Sequence, residues 1–344
     1  MEDEKSRSSM VVCVTGGAGY IASLLVKKLL EKGYTIHATL RNLEDKSKVG
    51  LLKSFPNAEG NLKLFQADIY RPEEFEYAIQ GCEFVFHVAT PLIHSDGFQY
   101  KNQVEAAVAA VKNIVMACIK CGNVKRLIYT GTVLAASPMK DDGNGFKDLM
   151  DETCWTPLNV QFPFSDDYVR DYVESKVACE KEILNFGKDG FAVVILGCAL
   201  VGGTTLLSNI STSMATFLSV VTDEIYYKQL KFIEEVDGKV PIVHIEDICE
   251  AHIFAMENSD SMNGRFLCAS SFVSSAEIAS HYQEKYPDFH VNQRCLDDPK
   301  RELKWGSNKL LEKGFVYKCE MNKILDDTIT SARKFGVLNL PSST

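Results

Sequence analysis

Short unbroken apolar runs and amphipathic stripes take turns along the chain before residue 200. "MVVCVTGG" is a continuous apolar run ending in glycines, the mark of a buried strand. In "YIASLLVKKLLEKGY", Ile21, Leu24, Leu25 and Leu29 fall on one helical face, and Gly33 supplies the stop. A second strand, "TIHATLR", and a third, "NLKLFQAD", flank a helix around "KVGLLKSF". Pro72 opens the short helix "PEEFEYAIQGC", followed by a fourth strand, "EFVFHVAT". The long helix "QVEAAVAAVKNIVMACIKCG" and a fifth strand, "KRLIYTGT", come next. A helix over "DYVESKVACEKEILNF" and a sixth strand, "GFAVVILGCALVG", complete the alternation. Strands alternating with helices imply right-handed crossovers and a parallel sheet covered on both faces.

Past that point the alternation weakens. "VPIVHIEDICEAHIFAME" reads as a strand feeding a helix, "GRFLCAS" and "FHVNQR" as short strands, and the tail "SNKLLEKGF" to "MNKILDDTITSARKFG" as helical. The expected fold class is α/β, a Rossmann doubly wound parallel sheet with a smaller C-terminal substrate-binding lobe. Residues 10–200, rejoined by 240–258, form the expected Rossmann domain; 201–239 and 259–340 form the lobe. Neither internal repeats nor low-complexity segments interrupt this plan.

Composition narrows the partners. The 344 residues are 46% hydrophobic and 24% charged, ordinary for a globular chain, and a net charge of -9 argues against a nucleic-acid partner. It equally offers an anionic membrane surface nothing to attract. "MEDEKSRSSM" is polar, mixed in charge and lacks an apolar core, so no signal peptide and no membrane insertion are expected. Eleven scattered cysteines, several inside apolar runs (Cys13, Cys198, Cys249), fit a reduced, cytoplasmic protein. "CIKC", at Cys118 and Cys121, could be half of a metal site, but no second pair accompanies it, and no metal is expected. No obligate protein partner is evident.

"TGGAGYIA" follows a strand and opens a helix, the context a dinucleotide loop requires. Gly16 permits the tight turn, Gly19 lets the backbone approach a pyrophosphate at the helix N-terminus, and Ala22 takes the close-packing position. At the end of the second strand an NAD site commonly carries an acid; here Arg41 stands, with Lys48 seven residues on and Glu44 and Asp45 beyond the turn. A guanidinium suits a 2′-phosphate, so the expected cofactor is NADPH, whereas Lys46 reads as part of a solvated charge run.

Catalytic candidates come in two copies of one spacing. Tyr172 and Lys176 in "DYVESK" and Tyr227 and Lys231 in "YYKQLK" each lie four apart, on one helical face. An unperturbed tyrosine, with a pKa of ~10, is a poor acid at neutral pH, and a nearby cation favours its phenolate. Thr132, closing the fifth strand in "YTGTVLAAS", supplies a hydroxyl ahead of Tyr172 and Lys176; no such hydroxyl precedes the other pair in the right order. Tyr168 is close to that pair but stands eight residues from Lys176, not four. His244, His252 and Asp247 in "VHIEDICEAH" read as structural, and the aromatics of "YYKQLKFI" as lobe packing or pocket lining.

With "TGGAGYIA", a strand-end hydroxyl and "DYVESK" in this order, the chain resembles the extended short-chain dehydrogenase/reductases. "VTGGAGYIASLLVKKLLEKGY", "FVFHVATPL", "VHIEDICEAHIF" and "LLEKGFVYKCEMNKILDDTI" look like the plant dihydroflavonol 4-reductase, anthocyanidin reductase and vestitone reductase group, over roughly residues 10 to 338. The resemblance implies cofactor contacts at Gly16, Gly19, Tyr20, Ile21, Arg41 and Lys48, with Asp68 and Ile69 beside the adenine. Val88, Ala89 and Thr90 would line the cofactor's path. Catalysis would fall to Thr132, Tyr172 and Lys176, the last two also touching the cofactor. Its chemistry would be hydride delivery with a proton from Tyr172.

Departures from the group's pattern change the expectations. "TGT" replaces the usual "TSS", so Thr132 stands for serine. Gly197 in "LGCALVGG" replaces the proline expected after the sixth strand, leaving a looser cofactor wall near Leu200, with Ser213 a nicotinamide-side contact. Ser137 stands where dihydroflavonol reductases carry an Asn or Asp reading the substrate, which argues against dihydroflavonol itself. The reading is an NADPH-dependent reductase of a flavonoid-like or related phenolic or alkaloid substrate, anthocyanidin-reductase-like ahead of a ketone reductase of the dihydroflavonol or vestitone kind. A sugar-nucleotide epimerase, wanting retained NAD and no Arg41, and a catalytically silent NADPH-binding paralogue are the alternatives.

Overall fold

The computed structural model describes residues 10–91, 99–188, 190–222, 224–258, 261–296 and 303–338. The sequence reading of residues 1–9, the parts of the expected Rossmann domain at 92–98 and 189, and the parts of the expected lobe at 223, 259–260, 297–302 and 339–340 lie outside the described residues. Two compact units divide the chain. The first runs to Gly131 and takes in Asp171–Leu196 and Cys249–Arg265; the second comprises Thr132–Arg170, Gly197–Ile248 and the chain from Phe266. The sequence ranges, 10–200 with 240–258 and 201–239 with 259–340, cut the chain at other points.

The strands of the first sheet are β1 (Val11–Val14), β2 (Thr35–Leu40), β3 (Leu62–Gln66), β4 (Phe84–His87) and β5 (Arg126–Thr132). After the two-residue β6 (Leu149–Met150) come β7 (Val193–Cys198), β8 (Leu200–Gly202), β9 (Val240–His244) and β10 (Gly264–Cys268). Seven of them form one sheet in the order β10-β7-β5-β4-β1-β2-β3. β1 pairs in parallel with β2 on one side and β4 on the other, and the sheet's order reverses at β1. In such a sheet the crevice at the carboxyl end of the reversal point is where ligands bind. Every residue of β4 and β5 is buried, as both faces of a parallel sheet must be.

Helices cover this sheet because their stripes match the pattern read from sequence. Tyr20–Glu31 buries Ala22, Leu24, Leu25, Leu29 and Leu30. Gln103–Cys121 is capped by the Asn102 side chain, which accepts from Glu105 N at 2.9 Å, and is ended by Gly122 at φ 73°. Its Ala107, Val111 and Ile114 pack with Cys13, Val85, Leu127 and Ile195 of the strands and with Cys179 and Ile183 of the long helix Asp167–Lys188.

In the second unit a three-stranded sheet, ordered β11-β9-β8 with β11 at Ser271–Val273, carries the helices Thr212–Leu218, Glu224–Asp237, Ser275–Lys285 and Met321–Lys334. Phe217, Leu230, Ile242, Tyr282 and Ile324 centre its core. β6 pairs in parallel with β12 (Lys304–Trp305), which ties the segment before the long helix to the C-terminal part of the unit.

Three element readings are corrected. "GFAVVILGCALVG" is two strands in two sheets: the chain changes sheets at Ala199, whose N–H bonds Cys268 O at 3.0 Å, and β8 then pairs with β9. An unbroken apolar run has no period with which to announce that change. The strand in "GRFLCAS" is β10, at the edge of the seven-stranded sheet, with Gly264 and Arg265 in the first unit and Phe266–Cys268 in the second. "FHVNQR" forms no strand, because the Asn292 side chain accepts from Arg294 N at 3.1 Å and starts the 3-10 turn Gln293–Cys295.

Candidate active site

The glycine loop leaves the carboxyl end of β1 with almost no room for side chains. Gly16 sits at φ 65°, and a Cβ there would meet Ala89 Cβ at 3.1 Å. A Cβ at Gly17 would lie 2.9 Å from Ala38 Cβ, and one at Gly19 3.2 Å from Gly16 O. Thr39 pins the turn, accepting from Gly16 N at its hydroxyl (3.1 Å) and from Gly17 N at its carbonyl (2.8 Å). Gly19 then caps Tyr20–Glu31 with no side-chain acceptor, so the first-turn N–H groups lack the partner that Asp, Ser or Thr would give. A bare backbone cradle at an uncapped helix N-terminus fits a dinucleotide's pyrophosphate. Gly17 was not singled out in the sequence, although Gly17, Gly19 and Ala22 spell the G-x-G-x-x-A fingerprint and Ala22 is fully buried. Tyr20 begins the helix with its phenol held neutral by burial, and Ile21 O accepts from Cys249 Sγ at 3.6 Å.

Beneath the loop, Thr15 links β1 to the end of β4. Its hydroxyl oxygen accepts from Val88 N and Ala89 N, both at 3.0 Å, and lies 2.9 Å from His87 Nδ1. Two acceptances use both lone pairs, so the hydroxyl donates its own proton to Nδ1 and the imidazole proton sits on Nε2. Burial, with Lys176 adding to it, pushes His87 down to about 3. In the unfolded chain the same ring titrates near ~6.5, so between these values the unfolded state holds one more proton and stability falls as the pH is lowered. We expect His87 to remove roughly 1.4 kcal/mol per pH unit over that window. His87→Gln should show a shallower loss between pH 6 and 4 in urea melts, and identical slopes would reject the assignment.

Lys176 is the centre of the site. It is 3% exposed, and its ammonium donates to Thr90 Oγ1 at 2.9 Å, Thr130 O at 3.0 Å and Tyr129 OH at 3.3 Å. The nitrogen lies 4.9 Å from the Tyr129 ring centre and 5.9 Å from that of Tyr172. The helix makes this possible: Val173, Val177, Cys179, Glu180 and Ile183 are buried, so the stripe that seats it on the sheet carries Lys176 inward, while half-buried Tyr172 stands one turn earlier. Burial holds neighbouring groups neutral, with the Tyr129 phenol far above its usual value and the Cys179 thiol pushed up to about 12. A small pocket adjoins the ammonium, lined in part by Ile69, His87, Thr90, Tyr129 and Cys179. The structure thus gathers Ile69, Ala89, Thr90 and Lys176 around one pocket, with Gly16 packed against Ala89. Thr90 and Tyr129 as partners of Lys176 left no local signal, since they are 86 and 47 residues away in sequence.

The remaining first-unit candidates lie beyond the carboxyl ends of β2 and β3. Arg41 directly follows β2 and is exposed. Lys48, also exposed, is 3.3 Å from Asp45, whose side chain caps the helix Lys46–Lys53 by accepting from Lys48 N at 3.1 Å. Asp68 uses Oδ1 to accept from Tyr70 N at 3.0 Å.

Thr132, Ser137, Gly197, Leu200 and Ser213 belong to the second unit. Thr132 ends β5, 7% exposed, and accepts from Leu134 N at 3.3 Å. Ser137 is fully buried; its hydroxyl donates to Val236 O and accepts from Met139 N at 3.0 Å, which commits the group expected to face substrate to its own backbone. Gly197 lies inside β7 and not in a loop, and a Cβ there would meet Leu267 Cδ2 at 3.0 Å. Leu200 opens β8, and Ser213 is half-buried in the first turn of Thr212–Leu218. In the competing pair, Tyr227 is part of the lobe core and Lys231 Nζ is 2.6 Å from Glu234, both buried. His244 meets Asp327 at 3.1 Å, Asp247 accepts from Lys318 N and Cys319 N, and His252 in the first unit meets Thr130 Oγ1 at 2.8 Å. Among the described residues no three His, Cys, Asp or Glu side chains group to hold a metal ion, and no helix is long and apolar enough to cross a membrane.

This arrangement matches a known family over most of its length. The profile of the NAD dependent epimerase/dehydratase family fits residues 12–269. The chain belongs to that family. Within it, an anthocyanidin reductase ((2S)-flavan-3-ol-forming) of Vitis vinifera is 34% identical over 329 residues, 95% of this chain and 96% of the relative. A dihydroflavonol 4-reductase of Gerbera hybrida is 31% identical over 336 residues, 96% of this chain and 88% of its own. Vestitone reductase from alfalfa superposes with a TM-score of 0.78 at 30% identity, covering 95% of this chain and 99% of that structure. The protein is an NAD(P)-dependent oxidoreductase of the extended short-chain dehydrogenase/reductase type, and its relatives include flavonoid reductases.

Proposed function

We propose that the protein is an NADPH-dependent reductase of a flavonoid-like phenolic, acting on a conjugated C=C or carbonyl in the manner of anthocyanidin reductase. The observation that carries this is the buried Lys176 ammonium, 5.9 Å from the Tyr172 ring centre and fixed to Thr90 and the Thr130 carbonyl. A buried cation beside a half-exposed phenol is an arrangement for proton donation. When bound, the cofactor supplies the hydride. Gly16, Gly17, Gly19 and the helix behind them would hold its pyrophosphate, Arg41 and Lys48 its 2′-phosphate, and Asp68 and Ile69 its adenine side. Tyr172 gives its phenolic proton to the substrate oxygen that gains charge, and Lys176 stabilises the phenolate left behind. Thr132 is assigned to that oxygen from its place in the motif order.

The kinship with the grape anthocyanidin reductase supports this substrate class. The commitment of Ser137 to Val236 O and Met139 N supports it further, because no free hydroxyl remains there to read a dihydroflavonol ring. Ketone reduction is the second reading, favoured by the likeness to vestitone reductase.

The test is oxidation of NADPH by the purified chain against anthocyanidins, dihydroflavonols and isoflavanones. We expect turnover to be fastest with an anthocyanidin. A ketone preferred throughout would favour the second reading, and NADPH binding without turnover on any substrate would overturn both in favour of a silent binder.

A further inference from the structure

The "TGT" that closes β5 has a partner on the helix carrying Tyr172 and Lys176. A Cβ on Gly131 would meet Glu180 Oε1 at 2.5 Å, Glu180 Cδ at 3.2 Å and Ile195 Cγ2 at 3.0 Å. Glu180 itself is fully buried and bonds Arg265 Nε at 2.8 Å, with Arg265 only 4% exposed. The carboxylate therefore occupies the space that a side chain at position 131 would take.

Position along the helix gives this contact its meaning. Glu180 follows Lys176 by four residues, one turn further on the same face. Lys176 grips Thr130 O at 3.0 Å, while Glu180 lies over Gly131, the next residue of β5. Two successive turns of one helix are thereby keyed to two successive residues of one strand. Arg265, on β10, adds a third element, from across β7 in the sheet order. Breaking a buried ion pair strands a charge in low dielectric, so the pair resists sliding of the helix more than apolar packing would. A slide of even one ångström would carry Lys176 off the Thr130 carbonyl, and positioning errors of that size can cost about 100-fold in rate.

We propose that the Glu180–Arg265 pair is a positioning device which fixes the register of the Tyr172/Lys176 helix on β5, and that position 131 is glycine to make room for its carboxylate. Neither side chain is assigned contact with substrate or cofactor. The role rests on the reading of Tyr172 and Lys176 as the catalytic pair.

The experiment compares the full chain with Gly131→Ala and with the paired Glu180→Met/Arg265→Met, which removes both charges together and so leaves neither stranded. Melting temperature, NADPH dissociation constant, kcat, KM and amide exchange in peptides spanning residues 171–180 are recorded, with Tyr172→Phe alongside. Expected for the folded paired variant are a kcat about tenfold lower, substrate KM within about twofold, retained NADPH binding, and exchange at 171–180 about tenfold faster, with Tyr20–Glu31 unchanged. Gly131→Ala should move kcat and local exchange in the same direction. A folded paired variant with wild-type kcat and wild-type exchange overturns the positioning role. Should that variant fail to fold, wild-type values in Gly131→Ala, which keeps both charges, overturn it instead. Turnover surviving in Tyr172→Phe sinks the catalytic reading, a distinct failure, and the exchange measurement still judges the register without any substrate.

Discussion

Tyr172→Phe is expected to lower kcat by ~10²- to 10⁴-fold, the range typical of a lost general acid, while the protein melts as wild type and still binds NADPH. Phenylalanine keeps the ring that stands 5.9 Å from Lys176 Nζ and removes only the hydroxyl. Ser175 Oγ bonds the backbone carbonyl of residue 172 at 2.7 Å, a contact the substitution leaves in place. Stability and turnover should therefore separate cleanly, with KM nearly constant because the missing proton matters as charge develops on the substrate. Tyr227→Phe is the control. Tyr227 is 7% exposed in the lobe core and its neighbour Lys231 is occupied by Glu234 at 2.6 Å, so kcat should stay within about twofold of wild type. Equal losses in both variants, or none in Tyr172→Phe, would remove the catalytic assignment.

The two tyrosine–lysine pairs also mark what a sequence can and cannot disclose. Spacing put each pair on one helix face, and motif order preferred Tyr172; the contact of Lys231 with Ser275 was invisible, because Ser275 lies 44 residues away. The alternation of strands and helices was legible because the doubly buried strands read as short unbroken apolar runs and the helices between them as amphipathic stripes. Gly16 and Gly19 were legible because a glycine cluster between a strand and a helix has few other uses. Nothing local revealed that the apolar run through Ala199 changes sheets, or that Gly197 is packed close to Leu267. Long-range partnerships were equally silent: Thr90 with Lys176 and Arg265 with Glu180 join residues 86 and 85 apart. At Gly131 the departure from the family pattern was noticed, but its physical reason lay on another element.

Replacing Arg41 should decide the cofactor. Arg41 is exposed at the end of β2, and among the described residues it has no hydrogen-bond or ion-pair partner to compete with a ligand. Of the two nearby acids that could favour an unphosphorylated ribose, Asp45 is engaged: it accepts from Lys48 N at 3.1 Å, and that bond together with the Lys48 charge holds its carboxyl below the usual range. A cation facing a phosphate dianion gains a charge-assisted hydrogen bond of about 1.5–3 kcal/mol, and a 2′-hydroxyl offers no such charge. Arg41→Gln is accordingly expected to raise KM for NADPH by ~10- to 100-fold and to leave KM for NADH within about threefold. Because the site is open to solvent, the difference should shrink as salt is raised toward 1 M, where the screening length falls to about 3 Å. Lys48→Gln should have a smaller effect, since part of its charge is already answered by Asp45 at 3.3 Å. Initial rates with both cofactors at low and high salt settle the matter: equal weakening of NADPH and NADH in Arg41→Gln, or a wild-type preference for NADH, would mean that Arg41 reads no phosphate and the charge run is simply solvated.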